Sequence, residues 1–389
     1  MSDIETVSRP APGAFDFGLS PAEEDRARRL HETSQVIDML FQMPGGSAIF
    51  DHLPAGALDR ALEGKTSLWE RYSTALHTPF DLALSGESQV VRDWWRQSGL
   101  TTVSIGMPVT AIGAEAKEGS DDWILQQPWV RLTTTLAQIR QAKADGVLAV
   151  YGNCQPTYGL PVDLDAIDRA HAGGLCSLML TYNRMDHVGV GCTERVDAGL
   201  SNYGVEVVER CNALGVIVDT SHCGRMTTLD ACKVSSAPVT ANHASASGVH
   251  AHARGKSDAE LDAIAATGGV IGVVTVPFFL AAGEPTVEAW LDHVDYIARR
   301  VGWRHVGIGT DWPLQAPRDL LEETVGGLLR EIGFRPEDKI DVTQTLVGFS
   351  DYRDMPNITR GLVKRGYDDD QIRGILGENF LRVFQAVCG

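Results

Sequence analysis

Residues 215–222 read GVIVDTSH, residues 239–243 read VTANH and residues 306–312 read VGIGTDW. Each is a strand-sized run that ends on a side chain able to ligate a metal or move a proton: His222, His243 and Asp311. Continuous apolar runs suit parallel strands buried on both faces. Polar residues just past strand C-termini are where a parallel α/β protein assembles its site. Working outward, strands are expected over 35–40, 101–106, 147–151, 177–181, 216–219, 239–241, 269–274 and 305–309. Amphipathic helical patterns over 203–214, 226–233 and 287–301 separate the later ones. Eight strands, each followed by a helix, predict an α/β fold, a (β/α)8 barrel of TIM type. An open doubly wound sheet would show the same periodicity.

Residues 1–18 are polar, with Pro10 and Pro12, and are expected as a flexible arm; 19–389 is expected as a single barrel domain. Ser20-Pro21-Ala22-Glu23-Glu24 reads as a helix start, with a capping hydroxyl, proline at the first position and acids in the first turn. The segment over 50–95 is longer than a plain connection and predicts extra helices near the mouth of the barrel. That segment and 107–129 carry Trp69, Trp94, Trp95, Trp123 and Trp129, whose expected role is packing loops onto the barrel.

The 389 residues are 43% hydrophobic and 22% charged, enough for a sizeable core. A formal net charge of −17 repels phosphate backbones and anionic membranes, which argues against nucleic-acid or membrane partners. Seven scattered cysteines without C-x-x-C spacing read as reduced thiols rather than a disulfide framework. With no apolar signal segment at the start, a cytoplasmic location is expected.

At the strand ends, Gln155 follows the third strand, Tyr182 the fourth, His222 the fifth, His243 the sixth and Asp311 the eighth. A single histidine after a strand is most often a hydrogen-bonded core residue. Two imidazoles and a carboxylate at three strand ends suit a divalent metal: zinc, iron or manganese. G-x-S-x-G, G-x-G-x-x-G and P-loop patterns are absent.

The stretches 178–191 (LMLTYNRMDHVGVG), 204–222, 237–261 (APVTANHASASGVHAHARGKSDAEL), 268–274, 305–312 and 348–384, closing on GENFLRVF, resemble the membrane (renal) dipeptidase family of the amidohydrolase superfamily. The resemblance covers over half the chain and implies an amidohydrolase-like barrel. Family members hold two metals, usually zinc, that share a hydroxide attacking a dipeptide bond. By resemblance, His222 and His243 match the histidines of one metal. Asp311 matches the aspartate on the other, which also handles the proton. Arg254 matches the arginine that grips the substrate carboxylate, a task suited to a guanidinium fork.

The departures concentrate on one half of that centre. The family's His-x-Asp falls on Leu40 and Gln42, its bridging glutamate on Gln155, and the histidine that polarises the scissile carbonyl on Tyr182. Leu40 binds no cation, and an amide oxygen lacks the charge of a carboxylate. Gln155 therefore remains only a weak ligand candidate. Asp186, His187, His250 and His252 are nearby replacement candidates, and Cys154 a soft one. Three readings stay open: a single-metal hydrolase of amide bonds in a small carboxylate-bearing substrate, with Asp311 as base and Tyr182 on the oxyanion; a non-heme iron oxygenase on His222, His243 and Asp311; and a non-catalytic relative. A small-molecule substrate is the expected partner, and a homodimer is compatible with the fold type.

Overall fold

The computed structural model describes residues 13–43, 46–111, 122–314 and 316–389. Ten strands occur among them. They are β1 (Ile37–Asp38), β2 (Thr102–Gly106), β3 (Val130–Leu132), β4 (Leu148–Cys154), β5 (Leu175–Met179), β6 (Ile217–Asp219), β7 (Val239–Ala246), β8 (Gly255–Lys256), β9 (Ile271–Val273) and β10 (Val306–Ile308). Eight form the barrel wall in the order β1-β2-β4-β5-β6-β7-β9-β10, all parallel. Met39 N–H donates to Ile308 O at 2.8 Å and brings the first strand against the last. The wall is a nearly closed TIM-type barrel, and the open doubly wound alternative is set aside. Every residue of β4 and of β7 is buried, as a wall covered by helices on its outer side demands.

Each of the eight expected strands is present, with shifted ends. The first is shorter than 35–40, because Asp38 turns its carboxylate back onto Leu40 N–H at 3.1 Å and ends the ladder. The sixth runs on to Ala246, carrying Asn242 and His243 inside the strand itself. Two short strands were not anticipated: β3 extends the sheet beside β4, and β8 pairs with the end of β7. Such two- and three-residue pieces carry no periodicity to read.

The helix over Pro21–Thr33 starts as its sequence requires. Ser20 and Glu23 form a reciprocal capping box, and Pro21 occupies the first turn. The extra helices before β2 are Ala57–Leu62, Leu68–Ser85 and Val90–Ser98. Trp94, Trp95 and Trp129 are buried, and Trp95 stacks on Trp129 at 5.0 Å. Trp123 packs edge-on to Phe80, and the Trp69 side chain lies outside the described set. Residues 13–18 of the expected arm make contacts with the C-terminal part of the fold. Phe17 is buried, Gly13 N–H donates to Asp354 at 2.6 Å, and Arg360 donates to the carbonyls of Gly13 and Phe15. Residues 1–12 of the expected arm lie outside the described residues. Among the described residues no helix is long and apolar enough to cross a membrane.

A polar cluster sits where β1 meets β10. Asp38, fully buried, accepts from Thr310 N–H at 2.8 Å and from Thr310 Oγ1 at 2.6 Å. Thr310 Oγ1 and the Tyr352 hydroxyl are 2.5 Å apart, and Tyr352 accepts from Gln42 N–H at 2.8 Å. Burial outweighs these bonds and pushes the Asp38 pKa from 3.8 up to about 7. Asp38 thus holds its proton more tightly folded than unfolded. Its contribution to stability is greatest below its unfolded pKa and is lost as pH rises through about 7. Urea unfolding should therefore show stability falling from about pH 5 to about pH 8 by roughly 2–3 kcal/mol on account of this group. Asp38→Asn should flatten that slope, and an unchanged slope in the variant would remove Asp38 as its source.

Candidate active site

The end of β6 and the middle of β7 are tied together by one carboxylate. Asp219 accepts from Ser221 N–H at 2.9 Å, from Ser221 Oγ at 2.5 Å and from Asn242 N–H at 2.9 Å. Ser221 Oγ accepts in turn from His243 N–H at 3.0 Å. Glycine at 309 lets β10 approach this layer, since a Cβ there would lie 1.7 Å from Asn242 O. These bonds set His222 and His243 side by side, with ring centroids 4.9 Å apart.

Both imidazoles are buried, and burial together with the Arg254 charge holds their pKa values well below the usual histidine range. They are neutral. His222 Nδ1 lies 2.7 Å from Asn183 Oδ1. An amide oxygen only accepts, so Nδ1 carries the proton and Nε2 keeps a bare lone pair. His222 Nε2 and both ring nitrogens of His243 have no hydrogen-bond partner among the described residues. Buried polar atoms are rarely left so. The Tyr182 ring stacks on His222 at 3.9 Å and 19°.

His222 opens onto a cavity of about 330 Å³ at the mouth of the barrel, lined also by Gln42, Gln155, Tyr182 and Asp311. Four of the six anticipated site residues, Gln155, Tyr182, His222 and Asp311, thus share one cavity wall. His243 lies against His222 but does not line the cavity. Arg254 does not line it either. It is 1% exposed, with its guanidinium donating to the backbone carbonyls of Ser221 and His243, the latter at 3.1 Å.

Asp311 adopts a left-handed backbone, φ 53°, unusual for a residue other than glycine. Its N–H donates to Leu40 O at 2.9 Å, and its Oδ1 accepts from Gln42 Nε2 at 3.0 Å. Burial pushes the Asp311 pKa up to about 6, against the opposing pull of Arg254 and the Gln42 bond. Among the described residues no three His, Cys, Asp or Glu side chains are grouped closely enough to hold one ion. The facial set of His222, His243 and Asp311 that an oxygenase would use is therefore not assembled. Two of the replacement candidates are engaged elsewhere, and a third is buried. Asp186 caps its own turn through Val188 and Gly189 N–H, His252 pairs with Asp338 O, and Cys154 is a buried thiol.

Sequence reasoning passed over Asn183, which orients His222, although it sits inside the LTYN stretch. It also passed over Phe278 and Phe279, which line the cavity just past β9. An aromatic pair directly after a strand end was the available signal.

Known proteins agree with this architecture. A family model described as membrane dipeptidase (peptidase family M19) matches residues 120–326 and 332–388. Over 189 residues the chain is 32% identical to dipeptidase verJ of Clonostachys rogersoniana, a match spanning 49% of this chain and 42% of that relative. An amidohydrolase from Pseudomonas aeruginosa superimposes with a TM-score of 0.71 at 26% identity, covering 93% of this chain and 98% of its own. A metallopeptidase from Rhodobacter sphaeroides, solved with a phosphinate mimic of the dipeptide L-Ala-D-Ala, has a TM-score of 0.64, covering 91% and 99%. At 19% identity its likeness is one of fold. With the family model spanning well over half its residues, the chain belongs to the membrane dipeptidase family, peptidase family M19, a family of hydrolases.

Proposed function

We propose that this protein hydrolyses an amide or peptide-like C–N bond of a small molecule, using one divalent ion held by His222 and His243. The observation that carries the reading is the pair of buried neutral imidazoles, three of whose four ring nitrogens lack partners, beside a cavity that also holds a carboxylate. Two neutral imidazole donors would leave several positions on a single zinc, manganese or iron ion for water, with no third His, Cys, Asp or Glu grouped with them among the described residues. This donor set does not fit a carboxylate-bridged pair, because by the resemblance Leu40, Gln42 and Gln155 stand where the histidine, the aspartate and the bridging glutamate of a second ion would be.

When bound, such an ion supplies Lewis acidity that activates water and polarises a carbonyl. The rest falls to the chain's own residues. Asn183 fixes the His222 tautomer and ring plane, as outer-shell partners of ligating histidines do. Gln42 holds the Asp311 carboxylate by its Oδ1. Asp311 takes the proton from the attacking water and returns it to the departing amine, so that one water and one amide become an acid and an amine. Tyr182, kept in place by its stack on His222, is positioned to donate to the oxyanion that develops on the carbonyl oxygen.

Protein purified without chelators or a polyhistidine tag should carry about one equivalent of a divalent metal. His222→Ala or His243→Ala should abolish retention. Asn183→Ala should weaken it by roughly 10–100-fold. Elemental analysis showing full metal in both histidine variants would displace the site.

Asp311→Asn should lower kcat/KM on a cleaved amide by roughly 10²–10⁴-fold while metal content stays unchanged. The same cleavage should run at equal rate with and without oxygen. A rate that needs oxygen would remove the hydrolytic reading.

A further inference from the structure

Residues that hydrolysis itself does not require nonetheless shape the cavity. Apart from Asp311, no described lining residue is charged; in particular none is Lys or Arg. The arginine expected to grip a substrate carboxylate, Arg254, is turned onto the carbonyls of Ser221 and His243. Phe279 lines the cavity, and the Arg254 guanidinium lies 5.5 Å from its ring centroid, so the aromatic face packs against the cation. Phe334 stacks on Phe279 at 6.4 Å, and Phe278 meets Trp312 at 5.7 Å, both pairs within the lining. Leu40 extends this apolar surface onto the first strand's end.

From this arrangement we propose that the cavity selects uncharged amides bearing an aromatic or branched aliphatic group and rejects substrates with a free carboxylate, with Phe279 as the residue that sets the preference by covering Arg254. The inference rests on the hydrolase reading only for the bond that is cleaved; the selectivity is a property of binding. At the end of the cavity formed by Phe278, Phe279 and Phe334, a carboxylate would lose its water among aromatic rings without gaining a lysine or arginine partner. It would also share the space with the carboxylate of Asp311. An uncharged amide pays neither cost, and its apolar group gains contact with the phenylalanines. A cavity of about 330 Å³ is within the range of sites that enclose small organic ligands.

The test is a matched pair of probes, N-acetyl-phenylalanyl-leucine amide and the same compound as its free acid, titrated calorimetrically into the protein as purified. The amide is expected to bind at least about tenfold more tightly. Phe279→Ala should narrow that ratio by about tenfold by opening Arg254 to the free acid. Asp311→Asn should narrow it too, by removing the like charge. Arg254→Gln should leave the ratio unchanged. Because that variant risks the fold, the Phe279 and Asp311 variants test the proposal independently.

Equal or tighter binding of the free acid, lost in Arg254→Gln, would overturn the proposal and reinstate a carboxylate clamp. Binding of neither probe at millimolar concentration would overturn it as well. An amide that binds tightly but is never cleaved would leave the selectivity standing and count against the hydrolytic reading instead.

Discussion

The seam between β1 and β10 is the constraint on which the rest of the site depends. Parallel strands cannot be joined by hairpins, so the first and last strands of a barrel meet only through bonds between distant residues. Here those bonds are Met39 N–H to Ile308 O and the Asp38–Thr310 pair. They place residues 40–42 beside residue 311, and Gln42 can then hold Asp311. A second tie, Asp219 with Ser221 and Asn242, does the same for the histidines. The site is the meeting of two independently braced strand pairs.

The two braced halves differ in electrostatic character. On the histidine side, the cation Arg254 faces backbone carbonyls and helps keep both imidazoles neutral. On the first-strand side, Asp311 is the one formal charge among the described cavity-lining residues. Leu40 adds apolar surface beside it.

Much of this was legible in the order of residues. The positions of His222 and Asp311 just past their strands follow from runs such as GVIVDTSH, because a barrel strand must be apolar along its length and polar only where it opens to the mouth; His243, expected just beyond its strand, lies inside β7. The capping box at Ser20 and the helix over Val287–Val301 were equally readable, since both depend on neighbours within a few residues. Other features depend on separations the pattern does not encode. Asn183 meets His222 across 39 positions because β5 and β6 are adjacent. Sequence identifies Arg254 as an arginine but not the direction in which it points, which depends on the short pairing of β8 with β7. Residues 13–18 look like a polar arm until Arg360, some 350 positions away, is seen to hold them.

The seam also bears on how the chain reaches this state. Asp38 and Thr310 are 272 positions apart, so closing the barrel means closing a very long loop. The entropy of such closure grows slowly with length, but it must be met before the contact yields anything. Pairings of this kind form slowly in barrels. Until they do, β1 and β10 are open sheet edges with unpaired amides, available to a neighbouring chain as readily as to each other. The docked 13–18 segment, held by Asp354 and Arg360, joins the start of the chain to the region that follows β10. In kinetic terms, docking of this segment ahead of the seam would act as a clasp, raising the effective concentration of one edge near the other.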